Sequence, residues 1–185
     1  MKKIVVVDKI TGLIFEKLCH YVGKNDILLK YNCYTDIFPW LVPLQHFNSH
    51  FINYYTSIHD IHIFIRNPYQ YVIESFIYMN IQKINWFIKN VDQYIIDLNN
   101  FILNNLSMLF TQSSYVAYAN HIYIYERYEK KILNNLKNDD LKNMINFVYI
   151  LNSFDHLNSL SVKIINEYFD EDFVKFKYDK ILHKD

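Results

Sequence analysis

IFIRNPYQYVIESF, residues 63–76, changes pattern twice within a short span. The run IHIFI (61–65) is β-branched and aromatic, which suits a buried strand. Asn67-Pro68 stops that strand and opens a helix, with proline near the first turn. Val72, Ile73, Phe76 and Ile77, then Ile84, Phe87 and Ile88, return at helical spacing and predict one apolar face. Arg66 stands at the C-terminal tip of the strand. That is the edge where α/β proteins bind ligands, and a guanidinium fork suits a phosphate. Arg66 can equally cap a neighbouring helix or pair with an acid.

Working outward, KKIVVV (2–7) reads as another short buried strand, followed by the turn DKITG (8–12). Ile14, Phe15, Leu18, Cys19 and Val22 then recur at helical spacing up to Gly23. DILLKY (26–31) suits a strand, 39–43 a loop and 44–56 a helix. Downstream, Val91, Tyr94, Ile95, Leu98, Phe101, Ile102, Leu106 and Leu109 form an amphipathic stripe. HIYIY (121–125) alternates like a strand, 128–137 returns to helix, and FVYIL (147–151) fits either a strand or a buried helix. A last helix covers about 160–173. Alternation of strands and helices predicts an α/β fold with a small, mostly parallel sheet flanked by helices. No linker or repeat interrupts residues 1–185, so a single domain is expected.

Composition narrows the class. The chain has 185 residues, 51% of them hydrophobic and 21% charged, which excludes a disordered chain. Lys+Arg and Asp+Glu both number 19, so the basic excess of a nucleic-acid binder is missing. No apolar run approaches the ~18 residues of a membrane-spanning helix. The Met-Lys-Lys start is not followed by a signal-peptide core, because Asp8 and Lys9 interrupt Ile4–Val7. Cys19 and Cys33 are the only cysteines, too few for a disulfide framework. A cytoplasmic setting is the expectation.

DKITG is the other place where chemistry is expected. A turn feeding a helix N-terminus offers free N–H groups and a positive dipole end to an anion. Lys9 adds a charge there, and Gly12 allows close backbone approach. The nucleoside-triphosphate pattern G-x-x-x-x-G-K-[ST] is absent. An ordinary strand–helix turn with an exposed lysine is the alternative.

Together these segments resemble the sulfotransferases that use 3′-phosphoadenosine 5′-phosphosulfate (PAPS), especially the carbohydrate-modifying group. In that family a lysine-containing strand–loop–helix holds the 5′-phosphosulfate, and an Arg-(Asp/Asn)-Pro strand end with a downstream serine holds the 3′-phosphate. Three weaker echoes follow in the family's order. They are IYIYERYEKKIL (122–133), DHLNSLS (155–161) and INEYFDEDFVKFKY (165–178). The resemblance implies a three-layer, P-loop-like fold and transfer of a sulfuryl group to a hydroxyl, on a small molecule or glycan, without a metal. It assigns Lys9, Thr11, Gly12 and Leu13 to the 5′ side of PAPS, and Arg66 with Ser75 to the 3′-phosphate. Lys9 also neutralises the leaving oxygen. His46, in PLQHFNSHF (43–51), takes the position of the catalytic base.

Departures point the other way. Leu13 and Ile14 stand where the family carries hydroxyl residues, Gln45 replaces a glycine, and Glu74 occupies the serine position. Ser75 is one residue on, about 100° around a helix. A carboxylate beside a phosphate repels it. A sulfotransferase fold that binds without catalysing is therefore the second expectation, and a nucleotide-dependent kinase a third. His46 can also be an ordinary histidine on a half-buried helix. His46 with His50 lacks the glutamate of a zinc-protease pattern, so no metal site is expected. The pairs Asn99-Asn100, Asn104-Asn105 and Asn134-Asn135, the run Asp170-Glu171-Asp172, and Lys175, Lys177, Lys180 and Lys184 read as solvated helix faces or ends. The acceptor pocket is expected in 34–50 or 78–120.

Overall fold

The computed structural model describes residues 3–6, 49–127 and 151–182. In chain order they form β1 (Lys3–Val6), α1 (Ser49–Ile58), β2 (His59–Ile65), α2 (Pro68–Met79), α3 (Ile84–Lys89), α4 (Val91–Asn105), α5 (Gln112–Tyr115), β3 (His121–Ile124), α6 (Ser159–Tyr168) and α7 (Asp170–Phe176). Helices predominate among these residues. No helix among them is long and apolar enough to cross a membrane. The contacts divide the chain into two compact units. One holds residues 1–65 and 112–139, the other 66–111 and 140–185.

The first unit carries the sheet, with strand order β1-β2-β3. Both pairings are parallel, with Lys3 opposite His59, Val6 opposite His62, His62 opposite His121 and Ile65 opposite Ile124. Parallel neighbours need long crossovers, and the chain supplies them between β1 and β2 and between β2 and β3. β2 begins at His59, two residues before the run that the sequence marks. Ile63 and Ile65 are buried along it. The expected elements at 8–12, 14–22, 26–31, 39–43 and 128–137 lie outside the described residues, as does all of FVYIL but Leu151.

The second unit packs helices around an aromatic core. α2 contributes Val72, Ile73, Phe76 and Ile77, α4 contributes Tyr94, Leu98, Phe101 and Ile102, and α6 with α7 contributes Val162, Ile165 and Phe173. Along α2 and α4 these positions recur every three or four residues, some as adjacent pairs such as Val72-Ile73, which places them on one broad face of each helix. Phe76 is the hub. Its ring centroid lies 5.8 Å from Phe87, 5.9 Å from Tyr94 and 5.4 Å from Phe101, all tilted, the geometry that aromatic quadrupoles favour. Full burial of each such side chain stabilises the fold by about 1.5–3 kcal/mol.

Two stretches expected as single helices are broken. After Met79 the chain makes a 3-10 turn (Ile81–Lys83) before α3. Asn80 stands at the stop, and its side-chain amide donates to the Phe76 carbonyl at 3.0 Å, where its backbone N–H also bonds. Near the end, Phe169 separates α6 from α7 with φ −103° and ψ 24°. Its buried ring holds the bend in the core.

Candidate functional site

The end of β2 is built by its own sequence. Asn67 caps α2: its Oδ1 accepts the Tyr69 N–H at 3.0 Å and its carbonyl accepts the Tyr71 N–H at 2.9 Å. Pro68 takes the first helical position, where its missing N–H is harmless. The strand therefore turns into the helix in two residues, and Arg66 is fixed at the junction.

Arg66 is fully buried, with 0% of its surface exposed. Its Nη1 meets the Glu74 carboxylate, Oε2, from the second turn of α2. The other carboxylate oxygen, Oε1, accepts the Gln70 side-chain amide at 3.0 Å and the Asn152 side-chain amide at 3.1 Å. A buried charge is tolerable only when it is paired and hydrogen-bonded, and Glu74 meets both conditions. The acid expected to repel a phosphate is thus the ion-pair partner of Arg66. Ser75, its neighbour on α2, is buried. Lys9, Thr11, Gly12, Leu13 and His46 lie outside the described residues.

The 155–161 segment forms a second constellation, and its organiser is Asn99. The Asn99 amide donates to the Ile95 carbonyl (2.7 Å) and the His156 carbonyl (2.8 Å). Its Oδ1 accepts the Asn158 N–H (3.0 Å) and the Ser161 hydroxyl (2.6 Å). One side chain thereby pins the loop to α4. Asn158 caps α6, its Oδ1 accepting the Ser161 N–H at 2.8 Å. His156 lies 3.1 Å from the Leu151 carbonyl through Nδ1, which must donate because a carbonyl only accepts. The Tyr94 hydroxyl donates to the same carbonyl at 2.8 Å. Burial pushes the Tyr94 phenol well above the ordinary tyrosine range.

Beside this loop runs a groove of about 350 Å³. Ile96, Asn100 and Leu103 of α4 form one wall, and Asp155, His156 and Asn158 the other. No lysine or arginine lines it. Asn99 was expected on a solvated face and is buried instead, whereas Asn100, Asn104 and Asn105 are exposed. The missed signal was register: Asn99 follows Leu98 on the face that Ile95 and Ile102 define.

The closing segment also differs from the expectation of a solvated charge run. Asp170 and Glu171 are exposed, but Asp172 is fully buried in the first turn of α7, where the helix dipole favours its charge. Lys180 pairs with Asp170 and lies 5.7 Å from the centre of the Phe173 ring. Tyr168 donates to the Leu109 carbonyl at 2.8 Å. Arg127 is exposed, and Tyr128 and Glu129 lie outside the described residues. In comparisons with known proteins the chain matches no family model, no curated protein and no solved structure.

Proposed function

We propose that the chain is a PAPS-dependent sulfotransferase of cytoplasmic type, with a three-layer P-loop-like fold and a sugar hydroxyl as acceptor. The observation that carries the reading is the parallel pairing of β1, β2 and β3. Parallel strands end at one edge of their sheet. In the chain, β1, β2 and β3 are followed directly by 7–12, Arg66-Asn67-Pro68 and 125–127, three places where the family's motifs are expected. Ligands of α/β proteins gather at such an edge. The groove over Asn99 supports a neutral acceptor, since amides, a carboxylate and an imidazole suit hydroxyls while no cation invites a phosphate. It borders α4, inside the 78–120 stretch expected to hold the acceptor.

A second reading, a binding protein that keeps the fold without the chemistry, is favoured by the Arg66–Glu74 pair. As the pair stands, Arg66 does not fit the 3′-phosphate of PAPS, because its charge is already matched. Thermal unfolding with 3′,5′-adenosine bisphosphate, and with unphosphorylated adenosine as control, separates the two readings. A ligand at 100 times its dissociation constant adds about 2.7 kcal/mol. For a domain of this size that raises the midpoint by several degrees, at roughly 2–4 °C per kcal/mol. The first reading expects that shift with the bisphosphate and not with adenosine, its loss in Lys9→Ala, and transfer of labelled sulfate from PAPS to a sugar. No shift at millimolar bisphosphate favours the binding protein.

A further inference from the structure

Arg66 combines two properties. It stands at the C-terminal end of the central strand of a parallel sheet, and it is completely buried against a carboxylate from its own chain. Glu74 reaches it from two turns into α2, and that carboxylate is held by two further donors, Gln70 and Asn152. Every element of an anion site is present: a guanidinium, two side-chain amides and burial from water. The anion is supplied internally.

We propose that Glu74 is a built-in counter-anion that closes the Arg66 site to phosphate and sulfate groups from outside. An incoming anion has to displace a covalently tethered carboxylate that is never diluted away from the guanidinium. It also has to leave Glu74 as a buried, unpaired charge. Arg66 therefore contributes no affinity for a ribose 3′-phosphate, and a nucleotide bound as the proposed function has it gains nothing from a second phosphate there. The specificity resides in residue 74. A small hydroxyl residue there leaves the guanidinium and the amides of Gln70 and Asn152 facing a vacated carboxylate position.

The test uses Glu74→Ser and Glu74→Gln beside the wild type and an Arg66→Ala/Glu74→Ala control. Unfolding midpoints are followed against sodium sulfate at ionic strength matched with chloride. The control reports the general stabilising action of sulfate on any protein. The expected result is saturable stabilisation of the Glu74 variants beyond that control, and none in the wild type. In a nucleotide arm, the wild type responds equally to 3′,5′-adenosine bisphosphate and 5′-AMP, whereas Glu74→Ser prefers the bisphosphate by roughly 10-fold or more. A variant that folds only when sulfate is added supports the proposal where the gain exceeds that of the control, because the anion then replaces the lost carboxylate. Variants that gain nothing from sulfate, folded or unfolded, overturn it, as does a wild type that prefers the bisphosphate. The nucleotide arm rests on the proposed sulfotransferase reading, but the sulfate arm does not. Silence towards nucleotides with a response to sulfate sinks only that reading.

Discussion

Lys177, just after α7, is the only residue other than glycine with positive φ among the described residues, at φ 59° and ψ 44°. It ends the helix in the left-handed conformation, and the next N–H, of Tyr178, bonds back to the Phe173 carbonyl at 3.1 Å. A Cβ makes that conformation unfavourable by about 1–2 kcal/mol. Lys177 is exposed, so little else is lost on its removal. Lys177→Gly is expected to stabilise the fold by up to about 1 kcal/mol, offset in part by the flexibility of glycine in the unfolded chain. Urea unfolding of the pair of proteins measures it. At this scale the sequence was informative about type more than about place. Glu74 was recognisable as out of character where the resemblance implies a phosphate-binding serine, but its pairing with Arg66 became visible only once α2 put the two together. Asn99 and Asp172 carry the composition of solvated positions. Their burial is set by partners far away in the chain, such as Ser161, 62 residues from Asn99.

Among the elements, β2 and α2 were the most legible, because β-branched run, Asn cap and Pro at the first helical position all agree. Helix breaks were less so, since the apolar stripe runs on past Asn80 and Phe169 while the backbone does not. α4 shows how one helix can serve both packing and the groove, with Tyr94 facing the core and Asn100 the groove. Tyr94 also predicts a pH effect. Its phenol is held neutral by burial, so its folded pKa is raised above the unfolded value. The folded state then binds more protons than the unfolded state at alkaline pH, and stability falls as pH rises above the ordinary tyrosine value of about 10. Below that pH the contribution is fully present. Tyr94→Phe is expected to lose about 1 kcal/mol at neutral pH, with the bond to Leu151, and to decline less between about pH 9 and 11. Tyr69, raised by burial against weaker opposing hydrogen bonds from Ile181 and Asn166, keeps a residual slope in the variant. Denaturant midpoints measured across that range decide it.

The whole molecule is described by two units, neither of them a continuous stretch of chain. This division left no trace in the sequence, which has no Gly-, Pro- or Ser-rich linker at 65–66, 111–112 or 139–140. A discontinuous unit needs none, since its boundaries are made by contacts between distant segments. The core of the second unit joins Tyr69, Phe76, Tyr94 and Leu98 to Leu151, Leu157, Ile165, Phe169 and Phe173. A chain ended after residue 150 is therefore expected to lose the amide-exchange protection of α2 and α4, although both helices are present in its sequence. Hydrogen exchange on the truncated and full chains tests this, and protection that survives truncation would show that 66–111 folds alone.

That interleaving also sets a schedule on the ribosome. Residues 66–111 are made first, and the apolar faces of α2 and α4 emerge before the segment that covers them. At about 5–20 residues per second, roughly 3–12 s separate the synthesis of Thr111 from that of Phe173. For that interval the nascent chain presents Tyr69 and Tyr94 without Phe173 and His156, the later partners of their rings, to whatever binds apolar peptide. The yield of this protein is accordingly expected to depend on chaperone supply and on the translation rate between those two codons.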